Sequence, residues 1–173
     1  LVKRAQSKGA KVFAYLSIGE AEDYRPYWGK WTTPPSWLDK ENPDWKGNFK
    51  VRFWELAWQR IVYAQLEQIV RAGFDGVYLD IVDAYEYYDA RGPMINFVTT
   101  ISRRAKAINP QFKVVPQNAD ALLTDANYVR HIDGIGREDI WYGEDGDGVK
   151  NKDPGPSLQR LKRFIAQGKF VLS

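Results

Sequence analysis

The sequence has no cysteine, one methionine and one histidine. Without cysteine there are no disulfides, thiolate metal sites or thiol nucleophiles, a lack compatible with an oxidising compartment. The sole histidine, His131, stands just before a predicted strand, where a structural role is the common one, so a histidine relay has no parts. No Gly-x-Ser-x-Gly elbow occurs, and no glycine-rich phosphate loop follows a predicted strand. Also missing is any apolar run near the roughly 18 residues of a membrane span. The opening Leu1-Val2-Lys3-Arg4 is neither a methionine start nor a signal peptide, as expected of an excised piece. Thiol, serine-triad and phosphate-loop chemistry are thereby excluded. Carboxylates and aromatic rings remain, and no cofactor or bound metal is expected.

What is present suffices for one domain with a sizeable core: 173 residues, of which 44% are hydrophobic. Residues 3–8 read as the end of a helix stopped at Gly9, and residues 12–17 as a strand buried on both faces. After a long connection, Ala57, Trp58, Ile61, Val62, Leu66, Ile69 and Val70 recur at helical spacing until Gly73. The run Val77-Tyr78-Leu79 follows as a central strand that ends in Asp80 and Asp83. A second helical stripe runs from Met94 to Ile108 and is ended by Asn109-Pro110. Residues 113–116 form a short strand, residues 122–129 a short helix, residues 132–136 a strand, residues 158–165 a helix closed by Gly168, and residues 170–172 open one more strand. Strands and helices alternate with no Asn-Gly hairpin signal between strands, which predicts a parallel α/β architecture. Five strands are three short of the eight of a closed barrel. The fold expected over residues 1–173 is therefore a single domain forming a partial (β/α)8 TIM barrel truncated at both ends, with a doubly wound open sheet as the alternative.

In a parallel sheet, function collects where strands end, because a side chain there is half solvated yet held by rigid backbone. The ends deliver Glu20, then Asp80 and Asp83, then Gln117, Asn118 and Asp120, then Arg137, Glu138 and Trp141. Asp80 or Asp83 could equally cap the helix that follows. The connection over residues 18–53 far exceeds an ordinary strand-to-helix loop of about two to six residues. It and Trp54 just beyond hold five of the seven tryptophans: Trp28, Trp31, Trp37, Trp45 and Trp54. Such indoles serve as stacking platforms for sugars or as the loop's own small core. The segment Asp145-Gly146-Asp147-Gly148 lacks the later ligands of a calcium loop and reads as a turn.

The net charge of +3 and an isoelectric point near 9.0 would alone suggest nucleic acid as partner. The strand-end segments, however, hold 17 of the 22 acidic residues and only 10 of the 25 Lys and Arg. The face expected to bind ligands is thus acidic, which repels nucleic acid and suits a cationic or neutral polyol. Paired carboxyls with aromatic platforms are the equipment of glycosidic bond hydrolysis, one protonating the leaving oxygen while the other attacks the anomeric carbon or activates water. A non-catalytic carbohydrate-binding protein is the competing reading.

Four stretches carry a resemblance to a known family: Ala14-Tyr15-Leu16-Ser17-Ile18-Gly19-Glu20-Ala21-Glu22 with Arg25 and Trp28 behind it; residues 73–83; Pro116-Gln117-Asn118; and residues 136–143 containing Glu138. The chain resembles the endo-α-1,4-polygalactosaminidase-type glycoside hydrolases of family one hundred and fourteen, which have a TIM-barrel fold. The resemblance implies an endo-acting, retaining hydrolase of α-linked galactosamine-rich polysaccharide in an extracellular or cell-envelope setting. Asp80 matches the position of the nucleophile and Glu138 that of the acid/base. Glu20, Arg25, Trp28, Tyr78, Asp83, Tyr85, Asn118, Asp120 and Trp141 are the residues expected to line the sugar site. For its acid role Glu138 is expected to be shielded by Trp141 and the strand wall, with Arg137 a possible opponent.

Overall fold

The computed structural model describes residues 1–143 and 146–173; the expected turn at 145–148 lies partly outside the described residues. In chain order the elements are α1 (Val2–Gln6), β1 (Phe13–Ser17), β2 (Glu20–Glu22), β3 (Leu38–Glu41), β4 (Asn48–Val51), α2 (Leu56–Arg71), β5 (Gly76–Asp80), α3 (Ala84–Tyr88) and α4 (Arg91–Ile108). There follow β6 (Lys113–Pro116), a 3-10 turn (Asp120–Thr124), α5 (Ala126–His131), β7 (Gly134–Gly136), β8 (Tyr142–Gly143), β9 (Gly146–Lys150), α6 (Gly155–Ile165) and β10 (Phe170–Leu172).

Strands β1, β5 and β6 pair in parallel, a parallel bridge from Gln117 to Gly136 carries the sheet on to β7, and β7 pairs in parallel with β10. These five strands neighbour one another in the order in which the chain makes them. No reversal of order occurs among them, and a reversal is what a doubly wound sheet would show.

The helices follow from their apolar spacing. α2 buries Trp58, Val62, Leu66 and Val70, four residues apart on one stripe, and packs on α4, which buries Met94, Phe97, Val98, Ile101 and Ala105. Gly73 ends the α2 segment with φ 85°, a left-handed value that suits glycine. Asn109, extended at φ −136°, ends α4 before Pro110. Truncating a residue of this shared layer, such as Leu66 to Ala, costs roughly 2–5 kcal/mol through lost burial and the cavity left behind. Among the described residues no helix is long and apolar enough to cross a membrane.

Three expectations are corrected. β1 is not buried on both faces: Leu16 is buried, but Tyr15 is 45% exposed, because the helices cover one side of the sheet and Tyr15 points to the other. Antiparallel pairing does occur, in the sheet β2-β4-β3 within the long connection and in the β8–β9 pair. It was hidden because β3 and β4 carry Asp39, Lys40, Asn48 and Lys50 in half-exposed or exposed positions without clean alternation. Their turn uses the Asn42 side chain, accepting from the Asp44 N–H at 3.0 Å, and Gly47 at φ 86°, in place of Asn-Gly. The short helix expected over residues 122–129 is two pieces. Asp125 breaks it by capping α5, its Oδ1 accepting from the Tyr128 N–H at 2.9 Å.

Candidate active site

The ends of β1, β5, β6 and β7 open with the β2-β4-β3 sheet onto a cleft of about 740 Å³. Its lining includes Glu20, Arg25, Asp80, Asp83, Asn118 and Glu138. Five carboxyls, of Glu20, Glu22, Asp80, Asp83 and Glu138, face it against two cations, Arg25 and Lys46. The local field therefore favours cationic or hydroxyl-rich ligands over phosphates.

Asp80 is the last residue of β5 and is held from two sides. The Tyr15 hydroxyl donates to Oδ2 at 2.6 Å and the Ile81 N–H to Oδ1 at 2.9 Å. Both donors fix the orientation of the carboxyl group. The second bond requires Ile81 to turn left-handed, φ 55°, a conformation that costs a β-branched residue about 1–3 kcal/mol and is typical of functional sites. The turn is packed from beneath by Gly19, where any Cβ would strike the Ile81 carbonyl oxygen and the Ala84 Cβ. Burial and the bond to Asp80 together raise the Tyr15 hydroxyl well above the ordinary tyrosine range, so it remains a donor at every relevant pH.

Glu138 lies two residues beyond β7 and is placed by Asn118. The Asn118 Oδ1 accepts from the Glu138 N–H at 3.1 Å and from Arg137 Nη1 at 3.3 Å, leaving its amide nitrogen directed to Glu138 Oε2 at 3.4 Å. Arg137 also donates to the Glu138 carbonyl oxygen. The expected indole shield is not formed: Trp141 is 52% exposed and does not line the cleft, and Glu138 is itself exposed.

Glu20 is only 3% exposed, and its Oε1 accepts from Asn42 Nδ2 at 2.8 Å while the buried Oε2 has no hydrogen bond among the described residues. Burial raises its pKa and the charge on Asp80 adds to this, while the Asn42 amide, Lys50 and the Asn48 amide oppose it. Asp83 occupies the N-cap position of α3 but its side chain makes no capping bond, so it is left to face the cleft. Burial and then the neighbouring Glu86 raise its pKa. A carboxyl with a raised folded-state value destabilises the fold once ionised. That cost is absent below the unfolded value and complete above the folded one. Glu20→Gln should accordingly raise stability near neutral pH by on the order of 1 kcal/mol. The gain should vanish as pH falls through the carboxyl range, and thermal melts across that range would show it; a pH-independent difference would remove the ionised Glu20 from the explanation.

Several expected site residues lie elsewhere. Trp28 packs on Trp31 and Phe49 with ring centroids 4.8 and 4.7 Å away, in a cluster that continues through Trp37 to Trp58. It is part of the loop's own core. The loop tryptophan on the cleft is Trp45, 64% exposed. Tyr85 is 7% exposed and donates to Glu86 Oε1 at 3.0 Å, outside the cleft. Asp120, also 7% exposed, is taken up by Arg137, Arg160 and Ser157 at 3.1, 2.7 and 3.0 Å. Tyr78 reaches across the sheet to Gly136, where a Cβ would collide with its hydroxyl, and walls a smaller hollow with Arg137 and Glu138. Arg25 is on the cleft wall but bound to Glu22, Nε to Oε2 at 2.6 Å, with its guanidinium over the Tyr15 and Tyr24 rings. His131 lies apart, its Nδ1 2.7 Å from the Asn127 carbonyl oxygen. Residues not foreseen are Tyr15, Asn42 and Asn48, whereas Trp45 is one of the tryptophans expected as stacking platforms. Tyr15 is placed by strand register: it lies opposite Tyr78, two residues before the Ser17–Asp80 pair, and so on the face of Asp80.

The model of glycoside-hydrolase family GH114 matches residues 1–173. An uncharacterized protein of Deinococcus radiodurans is 46% identical over 144 residues, covering 80% of this chain and 47% of that protein. One of Methanocaldococcus jannaschii is 37% identical over 191 residues, covering 99% and 53%. The chain thus spans about half the length of the curated relatives it matches. Among solved structures, Aspergillus fumigatus Ega3 in complex with galactosamine superposes with a TM-score of 0.80 at 22% identity, over 98% of this chain and 62% of that one. The glycoside hydrolase domain of Pseudomonas aeruginosa PelA gives 0.72 at 19%, over 98% and 69%. At these identities the likeness establishes the fold, an α/β fold of the TIM-barrel glycoside hydrolase type.

Proposed function

Since the chain belongs to glycoside-hydrolase family GH114, we propose that it cleaves α-linked galactosamine-rich polysaccharide within the chain and with retention, Asp80 acting as nucleophile and Glu138 as acid/base. The observation that carries this is the opening of both carboxyls onto one acidic cleft from alternate strands. Two inter-strand steps of about 4.8 Å put the β5 and β7 backbones roughly 10 Å apart. Side chains reaching inward from both can approach the gap of about 5 to 5.5 Å that a retaining pair needs.

Glu138 gives its proton to the glycosidic oxygen as Asp80 attacks the anomeric carbon, so the bond to the leaving sugar breaks and a glycosyl ester forms. Glu138, now ionised, takes a proton from water; the water oxygen attacks the anomeric carbon, the ester breaks and Asp80 is free again. Tyr15 and the Ile81 N–H hold the Asp80 carboxyl in orientation, and Asn118 holds Glu138 at its side. The galactosamine bound by Ega3 supports an amino sugar as substrate, and the five carboxyls of the cleft suit its ammonium. On this reading residues 1–173 form one domain, a partial barrel whose five strands follow chain order, working outside the cell or in its envelope.

Incubation with partially deacetylated galactosaminogalactan tests the reading. The expected products are shorter oligomers whose new reducing ends appear first as the α-anomer by NMR. Release of the β-anomer first would replace Asp80 by an activated water, and tight binding without cleavage would favour the carbohydrate-binding alternative.

A further inference from the structure

The acidic cleft does not end at Glu20 and Asp83. A second hollow of about 280 Å³, room for roughly one sugar ring, shares Glu20, Asn42, Ile81 and Asp83 with it. Beyond that shared wall stand Lys50, Glu86, Tyr87 and Tyr88. We propose that this hollow is a second subsite, which takes a hexosamine unit with a free ammonium on the same polymer whose scissile bond lies at Asp80 and Glu138. The proposal rests on the functional reading above.

Three observations point to such a ligand. The buried Glu20 Oε2, on the wall common to both hollows, has no hydrogen-bond partner among the described residues, a costly condition that a ligand ammonium or hydroxyl would relieve. The hollow carries three carboxyls, of Glu20, Asp83 and Glu86, against the single cation of Lys50, which lies opposite Glu20 in the β2–β4 register. Finally, Tyr87 offers a ring 53% exposed and held in place from behind. Tyr88 packs edge-on against it, centroids 4.6 Å apart, and is anchored by its own hydroxyl bond to Asp39 at 3.0 Å and by Trp54 at 5.0 Å. The Tyr87 ring already carries one ammonium, Lys50 Nζ, 4.4 Å from its centroid, as its electron-rich face allows. The arrangement supplies carboxyls for an ammonium and hydroxyls, with an aromatic face for the apolar side of a sugar ring. N-acetylation would remove the charge and leave Glu20 only neutral donors.

The test is calorimetric titration with α-1,4-linked galactosamine dimer and tetramer and with fully N-acetylated tetramer, turnover being blocked by Glu138→Gln in every sample. The tetramer is expected to bind about tenfold more tightly than the dimer, as one added set of stacking and polar contacts would give. Tyr87→Ala together with Glu86→Gln should abolish that gain and leave dimer binding unchanged. Both side chains are exposed, and a thermal melt confirms that the fold is kept. A length gain that survives the two substitutions, or that the acetylated tetramer shows equally, overturns the subsite. Equal binding of dimer and tetramer also overturns it while leaving the functional reading intact. Absence of all binding would overturn both.

Discussion

Asp80→Asn and Glu138→Gln should each slow hydrolysis by about 10²- to 10⁴-fold, the range over which a positioned acid, base or nucleophile contributes to a rate. Asn cannot form the glycosyl ester, and Gln cannot give up and retake a proton. Neither exchange should disturb the fold: Asn can accept from the Ile81 N–H on its carbonyl oxygen while its amide nitrogen donates to the Tyr15 hydroxyl oxygen, and Glu138 is exposed. The two variants are separable by added azide. With an activated aryl glycoside, whose leaving group departs without a proton, azide should attack the waiting ester in Glu138→Gln and restore turnover, giving a product of retained configuration; in Asp80→Asn it should attack the substrate directly and give inversion. Tyr15→Phe should cost less, about tenfold, because it removes one hydrogen bond to an ionised group and leaves the group itself. Near-normal turnover by Asp80→Asn or Glu138→Gln would dismiss that assignment, and Asp83 or Glu20 would then be examined as nucleophile.

Asp120→Asn should lower stability by about 2–3 kcal/mol although Asp120 does not line the cleft. Its two oxygens serve Arg137 on one side and Arg160 with Ser157 on the other, which ties α6 to the loops that follow β6 and β7. Neutralising it leaves two guanidiniums facing a group that no longer balances them. The figure is set below that of a fully buried pair because the arginine side chains remain 21% and 28% exposed. In a domain of this size the midpoint of melting should fall by roughly 5–10 °C. Activity should fall too, through kcat with KM little changed, since Arg137 helps to fix Asn118 and the Glu138 backbone. A melting point within about 1 °C of the parent would show the ion triad to be dispensable.

Much of this was determined by the sequence alone. The four-residue spacing of Trp58, Val62, Leu66 and Val70 dictates α2, and Gly73 dictates its end, because these are local demands of helix geometry and of a left-handed turn. Apolar runs closing in Asp80 and, two residues past Gly136, in Glu138 placed both carboxyls at strand ends, and parallel pairing brings all such ends to one side. Register and partnership were decided by tertiary structure. Tyr15 became the donor to Asp80 because β1 pairs with β5 at Ser17–Asp80, a long-range fact that no local pattern encodes. The antiparallel β2-β4-β3 sheet brought Asn42, Trp45 and Asn48 into the cleft, although their segment reads as a long tryptophan-rich connection without strands. The same folding withdrew Trp28 into an aromatic cluster and Asp120 into an ion triad. A residue type states what a side chain can do; which neighbours satisfy it first, and so whether it is left free to meet a ligand, is settled only when the chain has closed around it.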